Sequence, residues 1–471
     1  MKETLVFQVI QTLDKREIRE IKKFLASPYF NQREDVQLLF AFLTEKKQEL
    51  AFTKEKIFSI LFPKEKKYDD NKVRFASSLL LQLIENFWAM EEAKADVNKN
   101  KRAAAAQYRL RKLDKLFLRT FTEAKQSIDN QTIRNADFHF QHYELLLEGY
   151  RFDSATRKES EHLQQISDSL DSAYCSLKLR QACMTANYQT VYKVAHEQSM
   201  IPEIIAHIEA NNLQKVPSVG VYYAAFKSLM EVENAAYFFE FKTLLFQFGA
   251  VFPADEIRDL YLIAINYCIK KHNGGEADFL KPELELYQEG LKNRYLYINN
   301  FITKFTYRNV VTLALTLREL DWAENFIEEN KNELEPLHRE GNYNHCCARL
   351  AYERKNFDKV LQLLQKADYD DILITLAAKA LLLKAFYETA AYDALDAHLE
   401  AMRTYIKRKS QIAYHQENYL NLVRFTKILL QISPSDTENL KNLEVKIQDT
   451  KAIAEKKWLL EKITGVRSIA D

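Results

Sequence analysis

Apolar residues recur every three or four positions along almost the whole chain, with charged residues between them. Leu5, Val9, Leu13, Ile18, Ile21 and Leu25 begin the pattern, which predicts one or two short helices over 4–26, stopped by Ser27-Pro28. A helix is expected over 34–48 on Val36, Leu39, Phe40 and Leu43. Thr53 is placed to cap a short helix from Lys54 to Leu61, ended by Pro63. Asp69 and Asp70 open a stronger helix to about Glu92, whose Val73, Ala76, Leu79, Leu80, Leu83, Ile84 and Phe87 keep the 3.6-residue period. Together these segments predict a helical amino-terminal domain over 1–95, bounded by the polar stretch 93–101.

Long apolar stripes at 103–129, 132–152 and 158–178 predict helical hairpins over 101–180. From 182 onward the helices are expected to shorten and pair, at 182–195, 201–210, 219–231, 233–248, 255–271 and 277–292. Pro202, Pro217, Gly249, Pro253 and Gly274-Gly275 punctuate them. Helix pairs at near-fixed pitch signal a repeat. Phe357, Val360 and Leu364 are matched by Tyr392, Leu395 and Leu399 at an offset of 35, and by Leu320, Ala323 and Ile327 at an offset of 37. Each triple opens a second helix. The first helix before it carries small or apolar residues, Ala348 and Ala351 or Leu383 and Phe386, where two helices approach closely. The repeats are expected over 181–432, followed over 433–471 by a helix capped at Ser435 or Asp436, whose Leu440, Leu443, Ile447, Ala454 and Trp458 form a stripe suited to seal the last unit.

This arrangement resembles the tetratricopeptide repeat, most closely over 300–405 and more loosely over 182–432. It departs from that family in lacking an early tryptophan and a regular glycine in the first helices, and the family's closing proline has a counterpart only in Pro336. The resemblance implies an all-α fold in which the helical amino-terminal domain is followed by an α-solenoid, a right-handed superhelix of tetratricopeptide-like hairpins. It also implies a ligand on the concave face lined by the first helices. Aligned on that pattern, Asn342, His345, Arg349 and Tyr352 of one unit and Lys384 and Tyr387 of the next would contact a bound peptide or partner protein, and His415 and Tyr419 would extend the surface. Such side chains hydrogen-bond backbone and carboxylate groups while offering flat contact area.

Composition supports the helical reading and narrows the function. Eight glycines and eight prolines in 471 residues are far below the roughly 12% an ordinary chain carries, too few turn residues for a sandwich, a barrel or a doubly wound sheet. The five cysteines are odd in number and show no Cys-x-x-Cys spacing, which suits a reducing compartment. Met1 runs directly into an amphipathic pattern, and the most apolar window, Val310 to Leu317, is flanked by Arg308 and Arg318. A cytoplasmic protein with neither a leader nor a membrane partner is the expectation.

Catalytic and cofactor signatures are absent from the sequence: no Gly-rich phosphate loop, no His-Glu-x-x-His and no Gly-x-Ser-x-Gly. His139 and His142, with Glu144 nearby, come nearest to a metal set and read better as surface polar residues. His345, Cys346 and Cys347 point about 100° apart on a helix and cannot converge alone. A non-enzymatic scaffold without a cofactor or metal is therefore expected. Lys and Arg number 67 against 66 Asp and Glu, but residues 1–120 hold 25 basic and 17 acidic side chains. Within the basic stretch Lys94 to Arg119, Lys101, Arg102, Arg109, Arg111, Lys112 and Lys115 support an alternative, a regulatory nucleic-acid-binding protein that uses this quarter of the chain. Self-assembly through the last helix is a third reading.

Overall fold

The computed structural model describes residues 4–45, 53–65, 67–192, 196–364, 369, 372–408 and 413–470. The fold is all-α, with one two-residue β-hairpin among the described residues. The chain divides into two compact units, Met1–Leu177 and Lys178–Asp471.

The first unit opens with α1 (Leu5–Thr12), α2 (Lys15–Ala26), α3 (Glu34–Glu45), α4 (Lys54–Leu61) and α5 (Asp70–Ala95). Asp14 starts α2 with a reciprocal cap: its carboxylate accepts from the Glu17 N–H at 2.8 Å, and the Glu17 carboxylate accepts from the Asp14 N–H at 2.8 Å. The Thr53 hydroxyl accepts from the Lys56 N–H, and Asp69 accepts from the Asn71 N–H. The apolar stripe of α5 is the spine of this half: Val73, Ala76, Leu80 and Ile84 are buried with Ile10, Ile21, Leu39, Phe40 and Ile57 in one core.

The polar stretch 93–101 holds the end of α5 and the start of α6 (Val97–Leu110), with Asp96 alone between them. The expected single helix over 103–129 is two, α6 and α7 (Asp114–Asp129), since Lys112 takes a left-handed φ of 58° and folds the chain back. Next comes α8 (Ala136–Ala155), where Phe152 stacks on Phe117 of α7 with centroids 4.2 Å apart. The helices expected at 158–178 and 182–195 are instead one, α9 (Leu163–Tyr192), in which no breaker interrupts the turn-to-turn hydrogen bonds.

The second unit continues with α10 (Ile201–Ala210), α11 (Pro217–Met230), α12 (Ala235–Phe248), α13 (Ala254–Asn273) and α14 (Leu280–Lys292). Against α11, the Gln214 backbone oxygen occupies the place a Cβ at Gly220 would take, so only glycine fits there. A small hairpin follows, β1 (Tyr297–Ile298) and β2 (Phe301–Ile302), turned by Asn299 and Asn300, both at positive φ. Then come α15 (Lys304–Thr316), α16 (Leu320–Glu329), α17 (Pro336–Glu353), α18 (Phe357–Leu364), α19 (Ile372–Glu388), α20 (Tyr392–Arg408), α21 (Ala413–Gln431), α22 (Thr437–Asp449) and α23 (Lys456–Ala470). Each of α15 to α23 packs on the next in sequence, and α15 also packs on α17, α17 on α19 and α21 on α23. The closing helix expected over 433–471 is thus two, capped where Asp436 accepts from the Asn439 N–H at 3.1 Å. Leu440, Leu443, Ile447, Trp458, Leu459 and Ile463 are buried in one core with Leu383, Leu395, Leu399 and Leu422.

Candidate functional site

Three successive hairpins turn by the same device. Arg318 after α15, Lys355 after α17 and Ala390 after α19 all adopt left-handed backbone, at φ 64°, 60° and 53°. The next N–H in each case reaches back five residues: Glu319 donates to the Ala314 oxygen at 2.9 Å, Asn356 to Ala351 at 2.8 Å and Ala391 to Phe386 at 3.0 Å. This closure satisfies carbonyls left open at a helix end, and glycine ordinarily holds the left-handed position. Its spacing equals that of the apolar triples beyond each turn, where Ala323, Ile327, Val360, Leu364, Leu395 and Leu399 are all buried. Polar ties join one hairpin to the next. Arg318 pairs with Glu353 at 2.6 Å, and Arg354 reaches Asp321 and Glu324, both at 2.8 Å.

The residues aligned for ligand contact divide into covered and accessible sets. Asn342 and His345 were expected on an open face, yet they are only 1% and 5% exposed. The face of α17 that carries them turns inward, so neither can meet a ligand. Burial, with the charges of Arg349 and Arg308, pushes the His345 imidazole down to about 3, which keeps it neutral. The Asn342 amide donates to the His338 oxygen at 2.5 Å. Tyr387 lies edge-on to Trp458 of α23 at 5.3 Å between centroids, and Tyr419 packs half-buried against the same core. Burial pushes both phenols up to about 12. His415 is half-buried on α21.

Arg349, Tyr352 and Lys384 do come together. They line a cavity of about 570 Å³ whose far wall is α23, including Trp458 and Lys462. The Tyr352 hydroxyl donates to Glu388 at 3.1 Å, and the Lys384 ammonium lies 4.5 Å above the Tyr352 ring while pairing with Glu455 at 2.9 Å. Glu388 also accepts from the Trp458 indole at 3.2 Å and pairs with Lys462 at 2.5 Å. Burial alone would raise the Glu388 carboxyl, but these donors hold it below its ordinary value. Lys355 lines the same cavity. Among the described residues neither Lys355 nor Arg349 has a carboxylate at ion-pair distance, and Arg349 instead donates to the Thr312 hydroxyl. The cavity therefore offers two uncompensated cations beside aromatic walls. The sequence reading gave the last helix a sealing or self-assembly role and did not place α23 on the wall of this cavity.

The basic stretch of the first unit is largely spent on internal pairing. Lys101 lies 3.5 Å from Glu123, Arg102 pairs with Glu144, and Arg109 pairs with Glu148 at 3.0 Å. Arg111, Lys112 and Lys115 remain exposed. The expected nucleic-acid surface is thereby halved, since charges neutralised within the fold release no counterions from phosphate. His142 is 2.8 Å from Asp129, while Glu144 is engaged by Arg102, so the pair His139 and His142 does not share a third ligand. Among the described residues no group of three or more metal-ligating side chains converges. Cys346 is fully enclosed, its thiol pushed up to about 12 by burial, in keeping with a packing role. No helix among the described residues is long and apolar enough to cross a membrane. Compared with known proteins, the chain matches no family model and no curated protein.

Proposed function

We propose that this protein is a non-enzymatic, cytoplasmic scaffold whose tetratricopeptide-like hairpins bind a partner protein through one of its peptide segments. The observation that carries this reading is the cavity beside α17, α19 and α23, where Arg349 and Lys355 lack acidic partners. Tyr352 and Phe357 give it flat apolar contact area, backed by the buried Trp458. An arginine in this setting favours carboxylate-bearing side chains, which it can grip with two parallel hydrogen bonds. The walls belong to packed helices, so little ordering is needed on binding, and affinity is spent less on immobilising the receptor.

The test uses the tagged full-length chain and an Arg349→Ala, Lys355→Ala variant, both checked for unchanged helix content by circular dichroism. Each is used to capture proteins from lysate of its own source, and the captured protein is then purified and titrated by calorimetry. A partner bound by the parent and weakened about tenfold or more by the double variant, the scale of a lost charge-assisted pair, supports the cavity. A partner bound equally by both overturns it. Retention of nucleic acid alone, lost steeply with salt, would transfer function to the basic residues of the first unit.

A further inference from the structure

The turn from α6 into α7 joins two kinds of side chain that folded chains seldom leave together in water. Leu110, Leu113, Leu116 and Leu118 are between 41% and 63% exposed. Arg111, Lys112 and Lys115 stand exposed among them, with no carboxylate at ion-pair distance among the described residues. Asp114 is the single acidic residue between 109 and 119. The tip is nevertheless firmly built. The Lys112 and Leu113 N–H groups bond back to the Arg109 and Tyr108 oxygens, both at 3.0 Å, and Phe117 is buried in its stack with Phe152.

Geometry narrows what could cover such a tip. Leu116 and Leu118 are two residues apart on α7, hence about 200° apart around its axis, while Leu110 and Leu113 extend to the end of the hairpin. A rigid flat surface reaches one flank or the end, whereas a fluid phase reaches all of them. Nucleic acid would satisfy the cations but offers nothing to four leucines, and residues 109–119 carry no exposed aromatic ring to stack on bases. From this we infer that the α6–α7 tip docks on an anionic lipid bilayer, with the leucines at the acyl boundary and Arg111, Lys112 and Lys115 against the headgroup phosphates. The near-neutral balance of the whole chain conceals the site, whose neighbouring cations Lys101, Arg102 and Arg109 are paired within the fold. This inference is independent of the cavity in the second unit.

Sedimentation of the full-length protein with phosphatidylcholine vesicles, with and without phosphatidylserine, tests it. Binding is expected to need phosphatidylserine and to fall with added salt. A Leu113→Gln, Leu116→Gln variant should lose it, and Arg111→Gln, Lys112→Gln and Lys115→Gln should each weaken it roughly fivefold. All these positions are exposed, and circular dichroism checks that the fold is kept. A parallel anisotropy titration with a short DNA duplex supplies the competing outcome. No binding to either vesicle overturns the inference, as does vesicle binding that the leucine variant retains. Duplex binding without vesicle binding overturns it in favour of nucleic acid.

Discussion

Glu283 shows how a single buried group sets a pH dependence. It lies on α14, 3% exposed, with its carboxylate 2.9 Å from the His272 Nδ1 on α13. Burial pushes the carboxyl up to about 7 and holds the imidazole below its ordinary value. A carboxyl raised on folding means that the native chain binds its proton more tightly than the unfolded chain does. Its stabilising contribution is therefore full below the ordinary carboxylate range and lost as pH rises through about 7. Glu283→Gln should flatten that decline and raise the unfolding free energy by roughly 2 kcal/mol at about pH 8, read from urea titrations across pH. Single residues were also where sequence reasoning was weakest. Asn342, His345, Arg349 and Tyr352 share one stripe by spacing, but spacing does not say which edge of the stripe faces in. Polar residues are so rarely fully buried that Asn342 and His345 read naturally as open.

At the level of elements, the turns carry more information than the helices they join. Ala390 holds a left-handed conformation that costs an L-residue about 1–2 kcal/mol relative to glycine. Part of the gain from removing that cost is offset by the greater freedom of glycine in the unfolded chain. Ala390→Gly is therefore expected to stabilise the second unit by up to about 1 kcal/mol, visible as a rise in Tm, although the side chain removed is exposed. The same chemistry explains the helix boundaries that were misjudged. Lys112 is not a residue that announces a turn, so α6 and α7 read as one helix, and the Asn299-Asn300 hairpin carries no glycine to announce it. Where strong signals existed they were legible: Thr53, Asp69 and Asp436 cap the helices they precede, and the triples around Phe357 and Tyr392 follow identical turns.

For the molecule as a whole, periodicity made the helical class legible, while contacts between distant segments stayed hidden. Trp458 is the plainest case. It lies in the core shared by α19 to α23, 5% exposed, and its indole reaches Glu388. Trp458→Ala should cost roughly 3–5 kcal/mol, from the apolar area and cavity together with a carboxylate left short of one donor. A fall in the midpoint of chemical denaturation, without loss of helix signal in the native baseline, checks it. Most helices of the second unit, by contrast, touch their neighbours in sequence. Local contacts form quickly, and each hairpin can settle soon after it is made. The exception is α23, which closes a core shared with α19 and α21. Until α23 has left the ribosome, the apolar faces of α19 and α21 lie open and the Lys384 and Glu388 side chains lack Glu455, Trp458 and Lys462. The emergence of α23 thus governs when this part of the nascent chain stops offering a sticky face to its surroundings.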